Sequence, residues 1–224
     1  MVKEVSATDP SCVAEAVAVL RQGGLVCLPT DTVYGLAAAA GTDDAEARLY
    51  DVQGRALDKP LPVFLADAAE MAVVCAQVPP LALRLAEAFW PGGLTLVLRR
   101  ATTFRSLALA GGDTVAVRVP DLPLVLAVVR GLGEPMTGTS ANLSGQPSPV
   151  TAAAARGQVG QAVDLFIDGG DCGGVESTVV DLTGEKPLAV VRRGAVAVAE
   201  LEGVLGEVIL ASEIPTFSSE GRPH

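Results

Sequence analysis

Small hydroxyls, a carboxamide and glycines crowd the segment Thr137-Gly138-Thr139-Ser140-Ala141-Asn142-Leu143-Ser144-Gly145-Gln146-Pro147. Such groups donate and accept hydrogen bonds at little entropic cost, and Gly138 and Gly145 let the backbone come close to a phosphate or carboxylate. Taken alone, the segment reads equally well as a turn between two elements. Other segments tip the balance toward a ligand. Pro29-Thr30-Asp31-Thr32-Val33-Tyr34-Gly35-Leu36 follows the apolar run Gly24-Leu25-Val26-Cys27-Leu28 and brings hydroxyls to the end of a strand. Arg55 and Lys59 set two cations four residues apart at the end of a helix, and Arg118 stands within Val115-Ala116-Val117-Arg118-Val119-Pro120. Arg192-Arg193-Gly194 follows Glu176-Ser177-Thr178-Val179-Val180-Asp181-Leu182. A guanidinium fork matches the paired oxygens of a carboxylate or phosphate.

The formal net charge is -10, which argues against tight binding to nucleic-acid backbones and points to a small partner. The cations inside the motifs then predict a basic pocket within an acidic shell. Only 4% of residues are aromatic while half are hydrophobic, so the core is mainly Ala, Val and Leu, unlike the stacking surfaces of single-strand nucleic-acid binders. Cys12, Cys27, Cys75 and Cys172 lie far apart and the one histidine is His224. That pattern argues against a zinc site and against Ser/His or Cys/His nucleophilic catalysis. Asp31 could meet Mg2+ through water, but capping a turn is the favoured reading. Pro91-Gly92-Gly93 and Gly169-Gly170-Asp171-Cys172-Gly173-Gly174 could cradle phosphate with backbone, although neither has the ending of a P-loop, and the second reads equally as a flap. The first residues lack a signal-peptide core and no apolar run reaches the length of a membrane span, so the expected location is the cytoplasm, with no membrane partner.

The elements that must position these residues alternate between two periods. Asp9-Pro10 starts a helix with Val13, Ala16, Val17 and Leu20 on its apolar face, ended by Gly23-Gly24. Asp43 and Asp44 open a second helix that delivers Gln53 and Arg55 at its C-terminal edge. Further helices are expected from Pro79-Pro80 to Trp90, over residues 124–132, over 151–158 and over 197–205. Strands are expected at residues 24–28, 61–65, 94–98, 115–119, 135–138, 163–167, 177–182 and 188–191. The mixture predicts an α/β domain on one twisted, mixed sheet. No linker or charge block divides the chain, so it reads as a single domain over residues 1–210 with a polar C-terminal tail, 211–224, that frays.

Taken in order, with Gln53-Gly54-Arg55-Ala56-Leu57-Asp58-Lys59-Pro60-Leu61 and Trp90-Pro91-Gly92-Gly93-Leu94-Thr95-Leu96 among them, these motifs resemble the YrdC-like family of threonylcarbamoyl-AMP synthases from about residue 24 to residue 194. The resemblance implies a single YrdC-like α/β domain, a twisted mixed sheet flanked by helices with a concave ligand pocket. It implies a nucleotidyltransferase that joins L-threonine, bicarbonate and ATP into L-threonylcarbamoyladenylate and pyrophosphate, the precursor of N6-threonylcarbamoyladenosine in tRNA. Mg2+ would come with ATP, with no protein metal site. The implied partner is a tRNA threonylcarbamoyl transferase complex, whereas the net charge counts against direct tRNA binding. The alternatives are a same-fold paralogue with weak or different activity, and an RNA-binding module.

By the same resemblance, Thr32, Tyr34, Arg118 and Ser177 contact threonine, with Arg118 on its carboxylate and Tyr34 walling the pocket. Arg55, Lys59, Ser140 and Asn142 serve catalysis and hold the nucleotide together with Thr114 and Arg192. As plain structure, Arg118 could instead pair with Asp121 and Tyr34 be a core ring with a wet hydroxyl. One position departs from the family pattern. Where that pattern is Lys-x-Arg-Pro, this chain has Gln53-Gly54-Arg55-Ala56, so a cation expected beside the triphosphate is replaced by a neutral amide, at an expected cost to rate rather than to binding.

Overall fold

In this computed structural model, which describes residues 2–184 and 189–205, the chain opens with strand β1 (Lys3–Ser6) and helix α1 (Cys12–Arg21). Asp9 accepts hydrogen bonds from the Ser11 backbone N–H and hydroxyl, each at 2.8 Å, and so sets the chain up for the helix. Strands β2 (Val26–Leu28) and β3 (Gly35–Ala39) lead to helix α2 (Asp43–Gln53). Strand β4 (Val63–Phe64), the short helix α3 (Met71–Val74) and helix α4 (Pro80–Phe89) follow, then strands β5 (Leu94–Arg99) and β6 (Thr114–Arg118). Helix α5 (Pro123–Leu132), strand β7 (Met136–Ser140), helix α6 (Ala152–Val159) and strands β8 (Leu165–Asp168), β9 (Thr178–Asp181) and β10 (Ala189–Arg192) complete the sheet before helix α7 (Val198–Leu205).

The described strands form one mixed ten-stranded sheet in the order β1-β8-β2-β3-β7-β4-β6-β5-β9-β10. Two of them were not legible as strands. In β1 the side chains are mostly exposed and the strand forms through parallel pairing with β8. β3 has the sequence Gly-Leu-Ala-Ala-Ala, poor in strand-forming side chains, yet all five residues are buried between antiparallel partners β2 and β7. Gly35 and Leu36 close the polar segment that begins at Pro29 and lie outside the expected strands; burial on both faces and two sets of ladder bonds outweigh intrinsic preference there. The expected end of the domain at residue 210 and the tail 211–224 lie outside the described residues.

Helices cover the sheet unevenly, and this makes room for a site. Helices α1 and α5 pack through Cys12, Leu20, Val125 and Val129 against Val26, Met136 and Leu165. Helices α2 and α6 pack through Leu49, Tyr50 and Ala155 against Cys27, Leu36 and Phe166. Beyond β4, helices α3, α4 and α7 cover one face only, on Leu94, Leu96, Val115, Val117 and Val180. The alternate residues, Thr95, Val97, Ala116, Arg118, Ser177 and Val179, line an open cavity instead. Period-two alternation thus sends the apolar residues into the core and the chemistry-bearing ones to the opposite side.

Candidate active site

The cavity holds about 450 Å3, within the ordinary range of small-molecule pockets. At one end stands Arg118, the last residue of β6 and only 4% exposed. Its Nη2 faces both carboxylate oxygens of Asp31 at 2.7 and 2.6 Å, its Nη1 donates to Thr32 Oγ1 at 3.0 Å, and its Nε donates to the Gly92 carbonyl at 2.8 Å. Nη1 therefore keeps one hydrogen free for a ligand. Thr30 Oγ1 accepts the backbone N–H groups of Thr32 and Val33 and donates to the Val33 carbonyl. With its own proton spent, it must accept the 3.0 Å bond from the Thr32 hydroxyl. Thr32 Oγ1 then has one lone pair left to accept from a ligand.

The other end is built where α2 meets the segment after β7. Gly54 ends α2 in the left-handed conformation, φ 58°, which a glycine adopts without penalty, and the chain turns to present Arg55. The Arg55 guanidinium donates to the carbonyls of Lys59 and Pro60 at 3.3 and 3.0 Å and lines the cavity. Across from it, Ser140 Oγ donates to Asn142 Oδ1, and Asn142 Nδ2 donates to the Leu143 and Gln146 carbonyls at 2.9 Å each. Phe64 lies flat on Gly138 between these groups, so close that a Cβ at residue 138 would sit 2.4 Å from the ring.

Arg192 stands between the two ends. Its Nε and Nη2 donate to the Ser177 carbonyl and hydroxyl at 3.1 and 3.0 Å, and its Nη1 pairs with Glu176 at 2.6 Å. Glu176 also accepts from the Ser148 hydroxyl, and Ser177 Oγ is bonded to Thr95 Oγ1 at 2.8 Å. Burial holds the Arg118 guanidinium below its ordinary range, opposed by Asp31, and the charge of Arg192 pulls the same way as burial. Arg55 is lowered chiefly by burial and again by Arg192. Arg192 thus disfavours the charged forms of both Arg118 and Arg55, a crowding of guanidiniums that an anion would relieve.

Residues 18–194 match the Sua5_yciO_yrdC family, described as Telomere recombination. The chain belongs to this family. It is 40% identical over 207 residues to the threonylcarbamoyl-AMP synthase of Bacillus subtilis, covering 92% of this chain and 59% of that one. It is 36% identical over 187 residues to the threonylcarbamoyl-AMP synthase of Rattus norvegicus, covering 80% and 65%. The chain thus spans about three fifths of the length of the threonylcarbamoyl-AMP synthases of Bacillus subtilis and Pyrococcus abyssi. Among solved structures it resembles P. abyssi Sua5 complexed with L-threonine, with TM-score 0.88 and 36% identity over 94% of this chain and 62% of that one. It also resembles E. coli YciO, with TM-score 0.80 and 27% identity over 90% and 98%.

Within this Sua5/YciO/YrdC fold, the structure gathers Thr32, Arg55, Arg118, Ser140, Asn142, Ser177 and Arg192 around one cavity. Tyr34, expected in its wall, is instead fully buried; its ring stacks on Phe166 at 6.1 Å and its hydroxyl donates to the Gly170 carbonyl at 2.8 Å and accepts from Gly169 N. Lys59 is exposed outside the cavity, and what it gives to the site is its backbone carbonyl, bonded by Arg55 and by the Tyr50 hydroxyl. Thr114 shares the face of Ala116 and Arg118 but stands at the far end of β6, beyond the cavity. Asp31 caps no turn; Thr30 does that, and Asp31 takes the place offered to Asp121 as the partner of Arg118.

Neither glycine turn lines the cavity. Gly92 accepts from Arg118 and donates its N–H to the Val119 carbonyl at 2.8 Å, while Gly174 N donates to the Thr32 carbonyl at 2.7 Å and Cys172 N to that of Val150 at 2.8 Å. Both buttress the Arg118 end. Gln53 does not meet the cavity either: at 3% exposure it points beneath the segment that carries Ser140 and Asn142. Three contributors went unread, namely Glu176, Ser148 and Thr95. The acidic residue next to Ser177 is the visible signal for Glu176; Thr95 reaches Ser177 through the pairing of β5 with β9, and Ser148 joins the site from the segment between β7 and α6 through its hydrogen bond to Glu176.

Among the described residues no group of three or more His, Cys, Asp or Glu side chains lies close enough to hold a metal ion, and no helix is long and apolar enough to cross a membrane.

Proposed function

We propose that this protein condenses L-threonine, bicarbonate and ATP into L-threonylcarbamoyl-AMP and pyrophosphate. The observation that carries this reading is the row of Arg118, Arg192 and Arg55 along one cavity, with hydroxyls at the first, a hydroxyl and a carboxamide beside the last, and a relative of the same fold that holds L-threonine. The amino-acid carboxylate takes the free hydrogen of Arg118 Nη1, and the threonine hydroxyl donates to the open lone pair of Thr32. The triphosphate lies along Arg55, Ser140 and Asn142, with any Mg2+ arriving on the nucleotide.

Arg192 then sits where the two substrates meet. The threonine nitrogen, its ammonium having given one proton to solvent, adds to the bicarbonate carbon; a second nitrogen proton leaves with the bicarbonate hydroxyl as water, which gives a carbamate. A carbamate oxygen attacks the α-phosphorus and pyrophosphate leaves. Neither step needs a covalent nucleophile from the protein; alignment and cationic stabilisation of the phosphoryl charge supply the acceleration. The adenylate so formed serves a tRNA threonylcarbamoyl transferase.

Pyrophosphate release should require threonine, bicarbonate and ATP together, and release independent of threonine would overturn the reading. A site that bonds a hydroxyl leaves its own polar groups unpaired when the ligand lacks one. Threonine should therefore raise the melting temperature clearly more than 2-aminobutyrate does, and equal protection would remove Thr32 from the role given to it.

A further inference from the structure

Gln53 is buried at the end of α2, and its side chain contributes two hydrogen bonds: Nε2 donates to the Ser140 carbonyl at 2.7 Å and to the Asn142 carbonyl at 3.0 Å. Its backbone carbonyl accepts from Ser144 N at 2.7 Å. Seven residues earlier on the same helix, fully buried Glu46 accepts from the Thr137 hydroxyl and from Leu107 N at 2.7 Å. Two helical turns from Glu46 to Gln53 rise about 10.5 Å, and three strand residues from Thr137 to Ser140 span about 10 Å. The two polar side chains therefore strap α2 to β7 at matching heights. The upper strap fixes the backbone from which Ser140 and Asn142 project, two residues before Arg55.

We propose that Gln53 is a positioning residue for the nucleotide end of the site, acting through the carbonyls of Ser140 and Asn142 and not through a phosphate. The proposal rests on the function argued above. Among the described residues, the oxygen of the amide, Oε1, is buried with no hydrogen-bond partner. What the position uses is thus donors alone. An ammonium has three donors and no acceptor, so the Lys of the family pattern meets the same demand without the orphaned oxygen, and the chemical change from Lys to Gln leaves the strap in place.

The test uses three forms of the full chain: wild type, Gln53→Met and Gln53→Lys. Methionine keeps the length and removes both donors. Gln53→Met should weaken ATP binding by about tenfold, the loss of two neutral hydrogen bonds, with threonine affinity held within about twofold. Gln53→Lys should restore ATP affinity to within about threefold of wild type, with an unchanged salt dependence. Equal losses for both ligands in Gln53→Met, or no loss, would overturn the proposal. So would a tenfold gain in ATP affinity in Gln53→Lys that fades with salt, because that marks a phosphate contact. Amide hydrogen exchange separates this from failure of the functional reading. The Ala141 and Ser144 amides should exchange faster in Gln53→Met whether or not wild type binds ATP, and unchanged exchange would overturn the strap alone.

Discussion

Arg118 and Arg192 each pair with a carboxylate on the wall of one cavity, yet the two pairs are different devices. The side chains of Arg118 and Asp31 are 5% and 15% exposed, whereas those of Arg192 and Glu176 are 47% and 35% exposed. Arg118 is also held by Thr32 and Gly92, so all its donors but one on Nη1 are committed before a ligand arrives. Arg192 keeps hydrogens free on both terminal nitrogens and shares its acid with Ser148. A buried pair cannot be opened cheaply because the remaining charge stays desolvated, while a half-exposed pair is re-solvated by water. The Arg118 end is therefore a preformed mould for one small ligand, and the Arg192 position beside it is adjustable, as suits the polyphosphate of the proposed reaction, which arrives and leaves in a different state.

The largest expected effect comes from emptying the mould. Arg118→Met strands Asp31 beside Thr32 and should cost about 3–5 kcal/mol of stability, read as a lower midpoint of urea unfolding. Threonine should no longer shift that midpoint. Arg192→Met should cost under about 1 kcal/mol of stability but weaken ATP binding by about tenfold or more, the worth of a charge-assisted hydrogen bond. The contrast breaks down if the two substitutions destabilise the fold equally, for then burial does not separate the pairs.

The same contrast shows how much of the molecule was legible in the sequence. Most elements and seven of the polar residues that line the cavity were readable, because hydrophobic period and the hydroxyl- and cation-bearing motifs are local signals. Partner choice was not. Arg118 stands three positions from Asp121 but pairs with Asp31 across 87 positions, a consequence of where the sheet brings the loop after β2. Tyr34 carried the signature of a pocket wall, yet strand β3 starts at the next residue and turns the ring into the core against Phe166. Gln53 resembled a phosphate ligand because its partners are backbone carbonyls, which no side-chain pattern displays. Lys59 failed likewise, its contribution being a carbonyl.

The smallest effect is the most diagnostic of the adjustable pair. Glu176 places a carboxylate in a cavity that is to receive a polyanion, and it holds Arg192 only through a half-exposed pair. Replacing it by glutamine keeps the size and the bond that Ser148 can make, but removes one negative charge facing the phosphates. Stability should change by less than about 0.5 kcal/mol. ATP should bind about two- to fivefold more tightly at low salt, the advantage shrinking as ionic strength rises, because a surface-near charge is screened. Threonine affinity should stay within error, since Arg118 answers to Asp31 and not to Glu176. Weaker ATP binding in Glu176→Gln would show that Glu176 orients Arg192 and does not compete with the phosphates. The Arg118 and Arg192 pairs would then share one design, a guanidinium fixed by its acid, and differ only in depth.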